Sequence, residues 1–205
     1  MTEKTLATIK EAREKTKKRN FSQSFDLIIS LKEFDTKKAE NKFSEDFILP
    51  HGRGDGASVV VFADSIKNLD CTTLTSEDIN NLSKNKREVK KLIAKTDFFL
   101  AEPKLMPAIG KSLGQLLAPR GMMPKLISDD AKSMVDNYKK SVKIKVKDAP
   151  VIQCLVGKDD MDDKKIEENI DAVLSFVESK LPKKKYNIGK VLLKLTMGKP
   201  VKVEV

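Results

Sequence analysis

From residue 21 the chain alternates between apolar and polar positions. Phe21, Gln23, Phe25, Leu27, Ile29 and Leu31 fall on one side, while Ser22, Ser24, Asp26, Ser30 and Lys32 fall mostly on the other. A period of two predicts a half-buried strand. The pattern returns late in the chain, where Val142, Ile144 and Val146 interleave with Lys143, Lys145 and Lys147, and where Val201, Val203 and Val205 interleave with Lys202 and Glu204. Sheets with one dry and one wet face are usually antiparallel. Ile166, Ile170, Val173, Leu174 and Val177 mark one face of a helix opened by Asp162 and Asp163 and stopped before Pro182, which is suited to cover the dry face.

Between these ends the pattern changes. Residues 58–63 and 98–101 are continuous apolar runs, the form taken by parallel strands buried on both faces. Helical spacing appears at Ile79 and Leu82, at Val89, Leu92 and Ile93, and at Ala131, Met134, Val135 and Tyr138 behind a Ser128 cap. The expected architecture is an α+β domain with an antiparallel sheet, built from residues 1–57 and 141–205. Into it is inserted a Rossmann-like α/β domain of residues 58–140. The expected hinges are the glycine-rich loop from His51 to Gly56 and the crossing at Lys139, Lys140 and Ser141.

With 205 residues, 40% of them hydrophobic, the chain is long enough for two modest cores. No run approaches the roughly 18 apolar residues of a membrane span. The first nineteen residues are charged and helix-patterned, unlike a secretory signal, so a cytoplasmic protein is expected. Cys71 and Cys154 lie far apart without a CxxC or Cys/His cluster, and both read as buried small hydrophobes. The net charge of +10 is carried almost wholly by lysine, since arginine occurs only at 13, 19, 53, 87 and 120. Lysine attracts phosphate as a mobile point charge, whereas arginine reads guanine edges, so the balance favours a phosphate-rich partner over sequence reading of duplex DNA. The alternative is a merely soluble, lysine-rich surface.

Catalytic material is scarce. His51 is the only histidine and has no nucleophile motif beside it. Gly110-Lys111-Ser112 ends like a P-loop, but Leu105 stands where the first glycine is needed, and a helix-turn fragment is the reading adopted. Gly52-x-Gly54-x-x-Ala57 precedes an apolar strand, whereas a dinucleotide fingerprint follows one. Asp159, Asp160, Asp162 and Asp163 suit a helix start through the macrodipole and lack further support as a metal site. No catalytic residue, cofactor or metal is expected.

A distributed set points to RNA. Lys143, Lys145 and Lys147 share one strand face. Lys183, Lys184 and Lys185 precede a strand running through Lys190 and Lys194 into Thr196-Met197-Gly198. Such a lysine comb beside an exposed turn can follow a sugar-phosphate backbone. In the turn, Thr196 offers a hydroxyl, Met197 an adaptable apolar surface, and Gly198 no obstacle to close approach. Taken locally, Thr-Met-Gly is also simply the end of a hairpin strand.

Several segments together resemble the large-subunit ribosomal protein L-one family in its archaeal form. They are Arg19-Asn20-Phe21-Ser22-Gln23-Ser24, Leu49-Pro50-His51-Gly52-Arg53-Gly54, Lys84-Asn85-Lys86-Arg87, Asp97-Phe98-Phe99, Leu105-Met106-Pro107, Pro119-Arg120-Gly121-Met122-Met123-Pro124, Val156-Gly157 and Leu195-Thr196-Met197-Gly198. The resemblance implies a non-enzymatic RNA-binding protein whose terminal domain holds a large-subunit rRNA junction at the mobile stalk near the tRNA exit site. It implies assistance in releasing deacylated tRNA, repression of the protein's own mRNA, and a monomer when free of the ribosome. The implied RNA contacts are Phe21, Ser24, Asp26, Thr196, Met197 and Gly198, joined by Lys158, Lys190 and Lys194, with Arg120 as a secondary contact. Asp26 would accept a ribose 2′-OH hydrogen bond that DNA cannot donate. Three positions depart from the family pattern: Ala118 for glycine, Leu126 for proline, and Lys199 for the proline after Gly198. The rival readings are an assembly factor resembling this family and a nucleotide-dependent enzyme.

Overall fold

The structure, a computed structural model, describes residues 2–36, 38, 41–66, 70–127 and 130–203. The expected cap at Ser128 and the last alternating positions, Glu204 and Val205, lie outside the described residues. The chain begins with α1 (Thr2–Glu14), β1 (Ser24–Leu31) and β2 (Phe43–Ile48). The middle contains β3 (Val59–Phe62), β4 (Thr72–Leu74), α2 (Ser76–Lys84), α3 (Lys86–Lys95), β5 (Phe98–Ala101), α4 (Met106–Ser112), α5 (Gly114–Leu117), β6 (Lys125–Leu126) and α6 (Ala131–Lys139). It ends with β7 (Ser141–Val146), β8 (Val151–Lys158), α7 (Asp163–Lys180), β9 (Ile188–Leu195) and β10 (Val201–Val203). By compactness the chain divides into Met1–Asp55 with Lys140–Val205, and Gly56–Lys139.

In the first unit the sheet order is β10-β9-β1-β8, and every neighbouring pair is antiparallel. The central strand β1 has the alternation its sequence dictates: Phe25, Leu27, Ile29 and Leu31 are buried, whereas Ser24, Asp26, Ile28 and Ser30 are half-buried on the other face. Ile9 and Ala12 of α1, and Ile166, Ile170, Val173, Leu174 and Val177 of α7, complete one core with them. A one-residue slip of β1 would expose its four inward side chains, forfeiting about 1.5–3 kcal/mol for each, so the register is firmly set. Strand β1 starts at Ser24 and not at Phe21. Gln23 is buried and turns its hydrogen bonds elsewhere, its carbonyl accepting from Asp159 N at 2.8 Å and its side-chain Oε1 from Met197 N at 3.2 Å.

A second correction concerns the lysine comb. Strand β7 pairs with β2 in a separate two-stranded antiparallel sheet and has no ladder with β9, so Lys143 and Lys145 do not flank Thr196. Cys154 is buried, as expected, and burial pushes its thiol up to about 12, with Asp26 acting in the same direction; Cys71 is only partly buried.

The glycine-rich loop is no slack linker over its first residues. Asn169 of α7, fully buried, accepts from His51 N at 3.1 Å and donates through Nδ2 to the carbonyls of Gly52 and Val156, each at 2.8 Å. Gly54 adopts φ 98°, and a Cβ there would fall 2.9 Å from Lys158 Cγ, so only glycine fits. The Lys158 ammonium then pairs with Asp55. His51 likewise meets Glu168, which accounts for the lone histidine without chemistry.

The second unit is a parallel sheet of order β4-β3-β5-β6. Alternate residues of the same apolar strands feed opposite layers. Val60, Phe62, Phe99 and Ala101 pack with Ile79, Val89, Ile93, Ile109, Leu113 and Leu117, whereas Val59, Val61, Phe98 and Leu100 pack with Ala131 and Val135 of α6. Helices on both faces explain why these strands lack alternation. Thr75 and Asp78 form a reciprocal capping box at the start of α2. Gly110, Lys111 and Ser112 lie within α4, where they form no phosphate-cradling loop.

Candidate nucleic-acid interface

The end of β1 and the end of β9 are clasped by a side chain that substitutes for backbone. Ser24 N donates to Thr196 Oγ1 at 3.1 Å, and Thr196 N donates to the Ser24 carbonyl at 3.0 Å. The Thr196 hydroxyl, expected to face a ligand, also lies 3.3 Å from that carbonyl as a donor, so its proton and one lone pair are directed inward. Immediately after it the chain reverses, with Gly198 N donating to the Leu195 carbonyl at 2.8 Å. Met197 N is held by Gln23, and its side chain is left 61% exposed. Phe21, 54% exposed, leads into the same Gln23 anchor, and neighbouring Ser22 donates to the Asp160 carboxylate.

The missing side chain of Gly198 is needed for a different approach from the one expected. A Cβ at this position would overlap Thr16 Oγ1, just beyond α1, and would sit 3.3 Å from Leu195 Cβ. Beneath the clasp, Arg13 gathers the start of α7. It pairs with Asp159 and Asp163, each at 3.0 Å, donates to the carbonyls of Asp159 and Met161 at 2.7 and 2.9 Å, and lies 5.4 Å from the centre of the Phe25 ring. The acidic cluster is therefore occupied by Arg13 and Ser22. Sequence reasoning missed Arg13, Thr16 and the role of Gln23. The last did leave a signal, because Gln23 is a polar residue in an inward slot of the alternation.

Along the wet face, β1 and β9 place Asp26 opposite Lys194 and Ile28 opposite Leu192, while Lys202 of β10 lies opposite Leu192 on its other side. A shallow depression is lined by Asp26, Ile28, Gln153, Leu155 and Lys194. Burial raises the Asp26 carboxyl above its ordinary range, and the charge of Lys194 opposes this only in part. An adjoining depression shares Gln153 and continues to Val151, Lys145 and Lys147, so the β7 lysines border the face at β8, away from the Thr196 turn. Lys190 is exposed on the same strand as Lys194, and Ser30 Oγ accepts from its backbone N at 2.7 Å. Lys158 lies opposite Ser24, but its ammonium is taken by Asp55. Arg120 is exposed on a short 3-10 turn of the other unit.

Exposed Met197 thus stands at the head of the lysine-bearing β1/β9 face, held to Gln23, with exposed Phe21 two residues before that anchor. The sequence model of the Ribosomal protein L1p/L10e family matches residues 12–199. The chain belongs to that family. Relatives include the large ribosomal subunit protein uL1 of Methanocaldococcus jannaschii, 44% identical over 206 residues, covering 97% of this chain and 94% of that protein. The uL1 proteins of Methanothermococcus thermolithotrophicus and Thermococcus kodakarensis are 39% and 38% identical and cover 98% of this chain, with 98% and 97% of their own lengths matched. These relatives bear the name of a ribosomal protein and not of an enzyme.

The three positions expected to depart from the family pattern hold ordinary local structure. Ala118 adopts φ −60°, ψ −46°, an ordinary right-handed conformation that needs no glycine. Leu126 lies in the short strand β6, 55% exposed. Lys199 is exposed directly after the clasped turn, in which Gly198 N donates to the Leu195 carbonyl.

Proposed function

We propose that this chain is a structural constituent of the large ribosomal subunit, acting in the cytoplasm on the ribosome and holding rRNA against the head of the β1/β9 face. The observation that carries the reading is the Ser24–Thr196 clasp, which fixes exposed Met197 beside the face bearing Asp26, Lys190 and Lys194. Lysines on the wet face neutralise phosphates, Met197 and Phe21 supply apolar surface for bases or sugars, and Asp26 accepts from a ribose 2′-OH. Phe21, Ser24, Asp26, Lys190, Lys194, Thr196, Met197 and Gly198 form this site, with Thr196 and Gly198 shaping it from within. Lys158 joins only by exchanging Asp55 for phosphate.

In the same reading the bound protein moves with the mobile stalk near the exit site and assists release of deacylated tRNA, with Arg120 as a secondary contact. An rRNA-like structure in its own mRNA would compete for the same face, making the unassembled protein a repressor. Binding to a large-subunit rRNA fragment should fall steeply with salt. If three wet-face lysines release counterions, the slope of log affinity against log salt is about −2 to −3. Met197→Asp should weaken binding about tenfold or more without unfolding the protein. A flat salt response, or unchanged affinity in the folded variant, refutes the site. Co-sedimentation with mature large subunits supports the ribosomal role, whereas recovery only with precursor particles would assign the chain to assembly.

A further inference from the structure

The most exposed large apolar side chain among the described residues is Tyr186, at 87%. It stands far from the Thr196 turn, on the short 3-10 turn Lys184–Asn187 that leads into β9. This turn is rigidly built. Asn187, buried to 1%, accepts from Lys183 N at 2.7 Å and donates to the Lys32 carbonyl at 2.9 Å, while its own carbonyl accepts from Lys32 N at 2.7 Å. Lys183 pairs with Glu33 at 2.6 Å, fastening the turn to the loop after β1. Lys184 is held at φ 49°, a left-handed conformation uncommon outside glycine. These contacts hold the turn against the loop after β1 and leave the Tyr186 ring facing water. Strain and buried hydrogen bonds spent on displaying one exposed side chain point to a use for that side chain.

Lys184 and Lys185 directly precede Tyr186, with the Lys185 ammonium 3.9 Å from the Glu178 carboxylate at the surface, and Lys32 is exposed on the fastened loop. Strand β9 leads from here through Lys190 and Lys194 to Thr196. At roughly 3.3 Å per residue its eight residues span about 26 Å, so the two ends of the strand meet different nucleotides. An aromatic face beside lysines suits an unpaired base, which stacks on the ring while the cations take the adjoining phosphates. We infer that Tyr186 is a second RNA contact, a stacking platform for an unpaired base, reached by RNA that follows β9 away from Met197. The inference rests on the RNA-binding reading of the β1/β9 face.

The chain offers a direct optical test, because it has no tryptophan and two tyrosines. Tyr138 packs against Phe98 in the other unit, at 5.4 Å between ring centres. Tyr138→Phe therefore leaves Tyr186 as the sole emitter. Titrating that protein at low salt with oligoadenylate RNA of about twelve nucleotides should quench its emission saturably. Tyr186→Ala should weaken binding about fivefold or more, the lower end of what one stacked base contributes, and Tyr186→Phe should retain it. Circular dichroism checks that each variant is folded. Unchanged emission on adding RNA, or wild-type binding by Tyr186→Ala, overturns the inference. If either occurs while Met197→Asp still weakens binding to the rRNA fragment, the β1/β9 site stands and only the second contact falls.

Discussion

Gly198→Ala probes whether the exposed turn is shaped by α1. The added methyl would overlap Thr16 Oγ1, and that hydroxyl is not free to swing, since it donates to the Ala12 carbonyl at 2.8 Å. Moving Thr16 breaks this bond, at about 0.5–1.5 kcal/mol, and moving the turn instead strains the bonds from Met197 N to Gln23 and between Thr196 and Ser24. Overpacking of this kind costs about 1–3 kcal/mol. Thr16→Ala alone removes one part-exposed hydrogen bond but opens the space the methyl needs. The double variant should therefore be no less stable than Thr16→Ala, so that the coupling in a double-mutant cycle equals the full Gly198→Ala cost of about 1–3 kcal/mol. Urea unfolding followed by circular dichroism measures stability, and rRNA affinity is measured in parallel. Additive losses, or a Gly198→Ala protein as stable as the parent, would refute the packing argument. Stability restored without RNA binding would assign Gly198 a direct contact with RNA.

Three further outcomes follow from other parts of the first unit. Burial raises the Asp26 carboxyl above 3.8, so the folded state binds its proton more tightly than the unfolded chain; stability falls as pH rises from 3.8 through the raised folded value and stays lower by that amount to neutrality. Asp26→Asn should flatten that part of the pH–stability profile and stabilise the free protein at pH 7 while weakening RNA binding; an unaltered profile would count against it. Asn169→Ala leaves His51 N and two carbonyls without their partner and should cost about 2 kcal/mol or more, read from the urea midpoint. Deleting residues 56–139 and bridging Asp55 to Lys140 with a short Gly/Ser linker should leave a folded protein within about tenfold of full-length affinity at matched salt. Lys140 lies close to the start of the crossing within the first unit, its carbonyl accepting from Leu49 N at 3.2 Å. Folding without rRNA binding would move the site to the deleted residues.

The elements most legible in the sequence are those whose burial is one-sided or complete. Phe25, Leu27, Ile29 and Leu31 announce β1, Ile166 to Val177 announce α7, and the runs at 59–62 and 98–101 announce parallel strands. Strand β8 was obscured because Val151 and Leu155 face outward beside inward Ile152, Cys154 and Val156, so both faces read apolar. Strand β2 was obscured for the opposite reason, being half-exposed on both sides. At the candidate site the residue types were legible and their partners were not. Nothing local to Thr196 reveals that its hydroxyl completes a ladder with Ser24, and nothing local to Gly198 reveals Thr16. Only Gln23, a polar residue at a core-facing position, carried a local sign of the long-range clasp.

Because Ser24 and Thr196 are 172 positions apart, the clasp sets a schedule for synthesis. Strand β1 is made early, yet both of its sheet neighbours, β8 and β9, come late, whereas every strand of the parallel sheet emerges in between. At roughly 5–20 residues per second, Phe25, Leu27 and Ile29 wait about 6–35 seconds for their flanking strands. The inserted unit can fold during that interval, and the head of β1 is clasped only late in synthesis. A nascent chain broken off before Thr196 thus carries the strand residues Ser24, Asp26, Lys190 and Lys194 without the clasp and turn that join the ends of β1 and β9.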